Sequence, residues 1–134
     1  MLVSFPLFLI SFAIYNMIVF LTPGVLWTGT VFAIPMQSGA TWSVTAGDLL
    51  IALSLVFLFV EVLKATRSYS RTIVDHALST LVFIAALVEF LLVKEAATST
   101  FALLLMISLV DVIGGWTVSM SSARRDIQVD HLPQ

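Results

Sequence analysis

Seven polar side chains stand out against the apolar background of this 134-residue chain: Asp111, Glu61, Lys64, Asp75, His76, Asn16 and Glu89. All lie within or at the edge of long apolar runs, where an ionisable group costs roughly 2.5–3.5 kcal/mol at a helix centre. Two chemistries would retain groups there. Clustered carboxylates in a poorly solvated place favour the protonated form, and a nearby histidine relays protons, which describes a proton or cation site. The structural alternative pairs Glu61 with Lys64, lets Lys64 and Arg67 reach headgroups, and uses Asp75 as a helix cap. Asp111 fits the structural reading least, because no Lys or Arg lies within ten positions of it. Asn16 and Glu89 suit a hydrogen bond between helices, worth about 0.6–2 kcal/mol in lipid.

Catalysis has little foothold. The chain has no G-x-S-x-G, H-E-x-x-H, Gly-rich phosphate loop or cysteine, so nucleophile elbows, zincin sites, disulfides and thiolate metal sites are all excluded. Its two histidines, His76 and His131, are too far apart to form an axial haem pair without an improbable fold-back. We expect no cofactor, no metal and no enzymatic activity. Six Lys+Arg against eight Asp+Glu leave no basic surface for nucleic acid.

The positioning elements follow from composition. With 60% hydrophobic and 10% charged residues, and a mean hydropathy of +1.09, the chain lies far outside the soluble class, which is roughly 25% charged. One all-α integral membrane domain over 1–134 is expected, a bundle of four transmembrane helices at about 5–21, 49–65, 73–93 and 100–120. Thr22-Pro23-Gly24 ends the first helix. Gly47-Asp48 opens the second, Thr72-Ile-Val-Asp75 has capping-box spacing for the third, and Thr98-Ser99 opens the fourth. The tail, 124–134, is expected to be loose. The first run lacks the basic n-region of a cleaved signal peptide.

Five of the six basic residues (Lys64, Arg67, Arg71, Arg124 and Arg125) fall on one side of this arrangement, with Lys94 on the other. The positive-inside rule then places both termini in the cytoplasm, most simply of a bacterial inner membrane. Depth follows from rise: Glu61 and Asp111 both lie roughly 18–20 Å below the outer ends of their helices. Helix three returns Asp75 and His76 to the same leaflet, so one layer of Glu61, Lys64, Asp75, His76 and Asp111 is expected. On helix four, Ser108, Asp111, Gly115 and Ser119 form a small-residue face suited to close packing. Phe57, Phe59, Phe83 and Phe90 share no face and suit lipid contact.

The outer segment 25–47 is too long for a bare connection. Val31–Met36 and Ala40–Thr45 flank Gln37-Ser38-Gly39, a β-hairpin pattern, with an irregular interfacial loop as the alternative. Pro35 suits its edge. Trp27, Phe32 and Trp42 would anchor it at the interface and are the candidate partner contacts.

Size and helix count resemble the small multidrug transporter family. That family has a carboxylate in its first helix, where this chain has Asn16, and it has short loops, so its function is not carried over. The leading expectation is an accessory, assembly or scaffolding subunit that meets a membrane-protein partner or self-associates. The alternative is a small oligomeric ion- or proton-coupled transporter using Asp111 and Glu61.

Overall fold

The computed structural model describes residues 5–65 and 69–130, the side chains of residues 65, 69–72, 118, 119 and 121–130 excepted. Among them the chain forms α1 (Phe8–Leu21), β1 (Thr30–Pro35), β2 (Thr41–Thr45), α2 (Ala46–Ala65), α3 (Tyr69–Leu92) and α4 (Ser99–Asp130), with a 3-10 turn at Lys94–Ala96. The four helices and the hairpin match the pattern read from the sequence. Three helices contain stretches long and apolar enough to cross a membrane: Ala46–Lys64, Ile73–Leu92 and Ser99–Thr117. The fourth, α1, is shorter than expected. Its 14 residues rise about 21 Å, because the chain before it is taken up by tight turns from Leu9 N–H to Pro6 O and from Ile10 N–H to Leu7 O.

Other boundaries move too. α3 starts at Tyr69, since nothing from Tyr69 to Thr72 breaks a helix. Asp75 therefore sits inside α3, in its second turn, and not at its N-cap position. α4 runs through to Asp130, so 124–130 is helical and not loose; no Gly or Pro interrupts 116–130, and Ala, Arg and Gln favour helix there. Residues 131–134 lie outside the described ones.

The N-cap of α2 is Thr45, with Gly47 and Asp48 one turn further in. Asp48 N–H donates to Thr45 Oγ1 at 3.1 Å and Thr45 N–H donates to Asp48 Oδ2 at 3.0 Å. This is a reciprocal capping box. Thr98 caps α4 by accepting from Phe101 N–H at 3.2 Å.

β1 and β2 pair antiparallel, with Phe32 opposite Val44 and Ile34 opposite Trp42, and a bulge between Thr30 and Phe32. Gly39 supplies the positive φ of the turn, where an L side chain would be strained. At the base of the hairpin, Gly47 N–H donates to Trp27 O at 3.0 Å. A Cβ on Gly47 would lie 2.6 Å from Thr100 Oγ1, so α2 and α4 start nearly in contact.

Tyr15 ties the end of α1 to the same place. Its hydroxyl donates to Glu95 O at 2.9 Å and lies 2.7 Å from Thr98 Oγ1, and its ring stacks on Trp27 at 4.7 Å. The ends of α1 and α3 thus meet the starts of α2 and α4 at the hairpin end, and both terminal segments lie at the other. Around this frame Phe8, Phe12, Tyr15, Trp27, Leu50, Phe101 and Leu104 form the core. Phe90 stacks on Phe101 and Phe83 packs on the same cluster, so of the four phenylalanines expected at lipid only Phe59 is strongly exposed.

Replacing Thr45 with Ala should cost about 1 kcal/mol and accelerate amide exchange at Asp48. Unchanged exchange there would mean that the cap does not hold α2.

Candidate functional site

The helices are filled with polar groups and faced with apolar ones. Ser11, Ser54, Glu61, Asp75, His76, Ser79, Ser108 and Asp111 are buried, whereas Leu55, Val56, Phe59, Leu81, Met106, Val110 and Ile113 point outward. Polar side chains between the helices form two main regions, and the larger, made mostly of these buried groups, lies opposite the hairpin.

It begins with Glu61, 1% exposed. Its Oε1 accepts from Leu7 N–H at 3.0 Å, one of the amides that the start of α1 leaves unpaired. Lys64, one turn along α2, donates to Phe5 O at 2.9 Å and to Glu61 Oε1 at 3.3 Å. Its Nζ also lies 3.8 Å from Asp75 Oδ2. A single ammonium thus joins the segment before α1, α2 and α3. Arg67 lies outside the described residues, as do the side chains of Arg71, Arg124, Arg125 and Ser119.

His76 follows Asp75 on α3 and is 1% exposed. Its ring lies directly against Gly115 of α4, where a Cβ would overlap the imidazole. Trp116 closes over it with ring centroids 6.3 Å apart, and Trp116 Nε1–H donates to Thr80 Oγ1 at 2.8 Å. Thr80 in turn donates to His76 O at 2.7 Å. Asp111, one turn before Gly115 on the same face of α4, is 3% exposed. Ser79 lies close enough to act on its charge, as do Glu61 and Lys64, although Ser79 Oγ closes no hydrogen bond. His76 in turn feels Glu61, Asp75 and Lys64. The five ionisable residues expected in one layer are therefore brought together.

Their bonding is uneven. Glu61 and Lys64 are engaged with each other and with backbone. His76 Nδ1 and Nε2, Ser79 Oγ and Asp111 Oδ2 are buried with no hydrogen-bond partner among the described residues. Buried polar atoms are rarely left so, and each such atom costs about 1–3 kcal/mol. Among the described residues no group of three or more His, Cys, Asp or Glu is arranged to hold a metal ion.

The smaller polar region joins α1 and α3. Asn16 Nδ2 donates to Glu89 Oε2 at 3.2 Å and to Phe12 O at 3.0 Å, as the sequence suggested. These two side chains close one end of a groove of about 330 Å³ lined by Leu9, Phe12, Ala13, Leu81 and Ala85. A second cleft, about 470 Å³, lies at the hairpin end between the chain after α1 and the start of α4.

Of the three candidate contact residues, Phe32 and Trp42 are 46% and 53% exposed. Trp27 is a correction: it is 8% exposed and held against Tyr15, so it serves the core. Sequence reasoning missed Ser79, Tyr15 and the Ser54–Ser11 hydroxyl bond of 2.8 Å between α2 and α1. A signal existed for Ser79, which follows Asp75 and His76 by four and three positions and shares their face of α3.

Comparison with protein-family models, curated proteins and solved structures gives no match. What fold and site define is a class: a four-helix chain, three helices long and apolar enough to cross a membrane, with ionisable groups buried between them.

Two stability outcomes follow. Gly115→Ala should destabilise the protein by about 1–3 kcal/mol through overpacking. Much of that loss should disappear when His76→Ala is present, a non-additivity readable from thermal unfolding in detergent; simple additivity would place the histidine elsewhere. Glu61→Leu should cost about 1–3 kcal/mol and expose the segment before Phe8 to proteolysis, whereas an intact protease pattern would show that α1 is held by other means.

Proposed function

We propose that this chain is a non-enzymatic integral membrane protein whose hairpin docks on a membrane-protein partner, making it an accessory or scaffolding subunit. Membrane insertion is supported by the inversion of polarity: large apolar side chains on the outside and carboxylates inside suit lipid and not water. Four spans with both termini in the cytoplasm accord with the five-to-one distribution of basic residues, and a bacterial inner membrane is the simplest setting. α1 would then be a short span, accommodated by local thinning or tilt of its neighbours.

The single observation that carries the docking reading is the one-sided hairpin. Phe32, Ile34 and Trp42 project from one face of a two-stranded sheet and remain exposed, while Val44 on that face is buried at its base. Ala33, Ser43 and Thr41 occupy the other face. An isolated hairpin is marginal in water, and an aromatic-rich apolar face of this kind resembles the core of a protein interface. No charged residue occurs before Asp48, so the complementary surface is neutral and apolar.

A photoreactive phenylalanine analogue at position 32 should cross-link in native membranes to one protein species. That species should co-purify with the chain in fixed stoichiometry, and Trp42→Ser should reduce its recovery about tenfold or more, the scale of a hot-spot loss. Cross-links to lipid alone would overturn the docking reading and make the hairpin an interfacial anchor.

A further inference from the structure

We propose that His76, Ser79 and Asp111 form a proton-binding site in which Asp111 and His76 hold one exchangeable proton between α3 and α4. The site lies at the opposite end of the bundle from the hairpin and does not rest on the docking reading.

Charge balance carries the argument first. Among the described side chains, the groups brought together there are Glu61 and Lys64 from α2, Asp75 and His76 from α3, and Asp111 from α4, with Leu7 N–H and Phe5 O from the segment before α1. With His76 neutral, three carboxylates face one ammonium among these described groups. That ammonium is within 4 Å of Glu61 and Asp75, and no ion pair to Asp111 occurs among the described residues. A buried carboxylate without a bonded cation is costly. Uptake of one proton by Asp111 removes the negative charge that has no bonded cation among the described residues.

Bonding capacity carries it second. Four buried atoms on these three residues have no hydrogen-bond partner among the described residues, so donors and acceptors are in surplus at one spot. A carboxyl, a hydroxyl and an imidazole each accept a proton in one state and donate it in another, and Ser79 faces Asp111 from the same helical face as His76. A proton arriving from water forms an O–H bond on Asp111 or an N–H bond on His76, and nothing is oxidised or reduced. Lys64, the partly exposed member of the layer, marks where the layer meets solvent. Gly115 permits the arrangement, since any side chain there would displace the imidazole.

His76 and His131 are the chain's two histidines, so a His131→Gln background leaves one imidazole to follow by ¹⁵N NMR in lipid vesicles. Between about pH 5 and 9, the His76 signals should titrate in one step. Glu61 and Asp75 act on His76 as anions; if Asp111 shares its proton as well, Asp111→Asn should move the midpoint to lower pH by about one unit or more, whereas Asp111→Glu should largely restore it. An unmoved midpoint, or no titration in this window, overturns the proposal. Should Asp111→Asn fail to fold, infrared spectra of the wild type decide instead. A protonated-carboxyl band that rises and falls with pH and shifts in His76→Gln supports the site; a band indifferent to His76 refutes it. Replacing sodium with choline should leave the titration unchanged, and a midpoint that follows sodium would assign the site to an alkali cation and reject the proton.

Discussion

Lys64 is the contact on which one end of this molecule depends. Its ammonium reaches the Phe5 carbonyl, the Glu61 carboxylate and the Asp75 carboxylate, which belong to three successive parts of the chain. Glu61 and Asp75 are buried between helices, where a charge must be compensated largely from within the protein. Lys64 provides it for two acids, and Glu61 uses its remaining capacity on the Leu7 amide. The start of α1 is therefore fixed by polar groups borrowed from α2. Packing alone would hold it weakly, because α1 offers only four turns of apolar surface.

The same constraint sets how α3 and α4 meet. The His76 ring lies against Gly115, and Asp111 falls one turn away from that contact. Small residues on α4 let the backbone approach, and the space opened is filled by a polar ring with little aliphatic packing. Asp111 and Ser108 follow the glycine inward because they lie four and seven positions before it, on the same helical face. Close packing and burial of charge thus have one cause here. A bulkier residue at position 115 would expel the imidazole and also the charge-bearing stripe beside it.

Much of this was legible before any coordinates. Apolar runs bounded by Pro-Gly and Thr-Ser pairs locate four helices, and two β-prone runs around a glycine turn locate the hairpin. Counting rise along antiparallel helices put Glu61, Asp111 and the Asp75–His76 pair at one level, since straight helices convert position into depth. What the sequence hid was of two kinds. Helix starts depend on which of several caps wins: Thr45–Asp48 closes reciprocally, whereas Thr72–Asp75 lies within a helix that begins a turn earlier for want of a breaker. Partners on the backbone carry no side-chain signature, so the Leu7 amide and the Phe5, Glu95 and Trp27 carbonyls were invisible. Trp27 was misjudged for a related reason. Its exposure is decided by the stacked ring of Tyr15, a residue with no local mark of importance.

The absence of charge before Asp48 takes on a physical meaning in this light. α1 has polar needs before its start and within it: the Leu7 amide and the Phe5 carbonyl ahead of it, and Ser11, Asn16 and the Tyr15 hydroxyl along it. Each is met by a group on another element: Glu61 and Lys64, Ser54, Glu89, and the turn at Glu95–Thr98. A carboxylate or ammonium on α1 itself would compete for partners already committed, because Lys64 is shared three ways and Glu89 is bonded to Asn16. A short helix made of neutral residues avoids that competition and still gains five polar tethers. It can then carry an uncharged hairpin directly after it, with the ionisable chemistry kept at the far end of α2, α3 and α4.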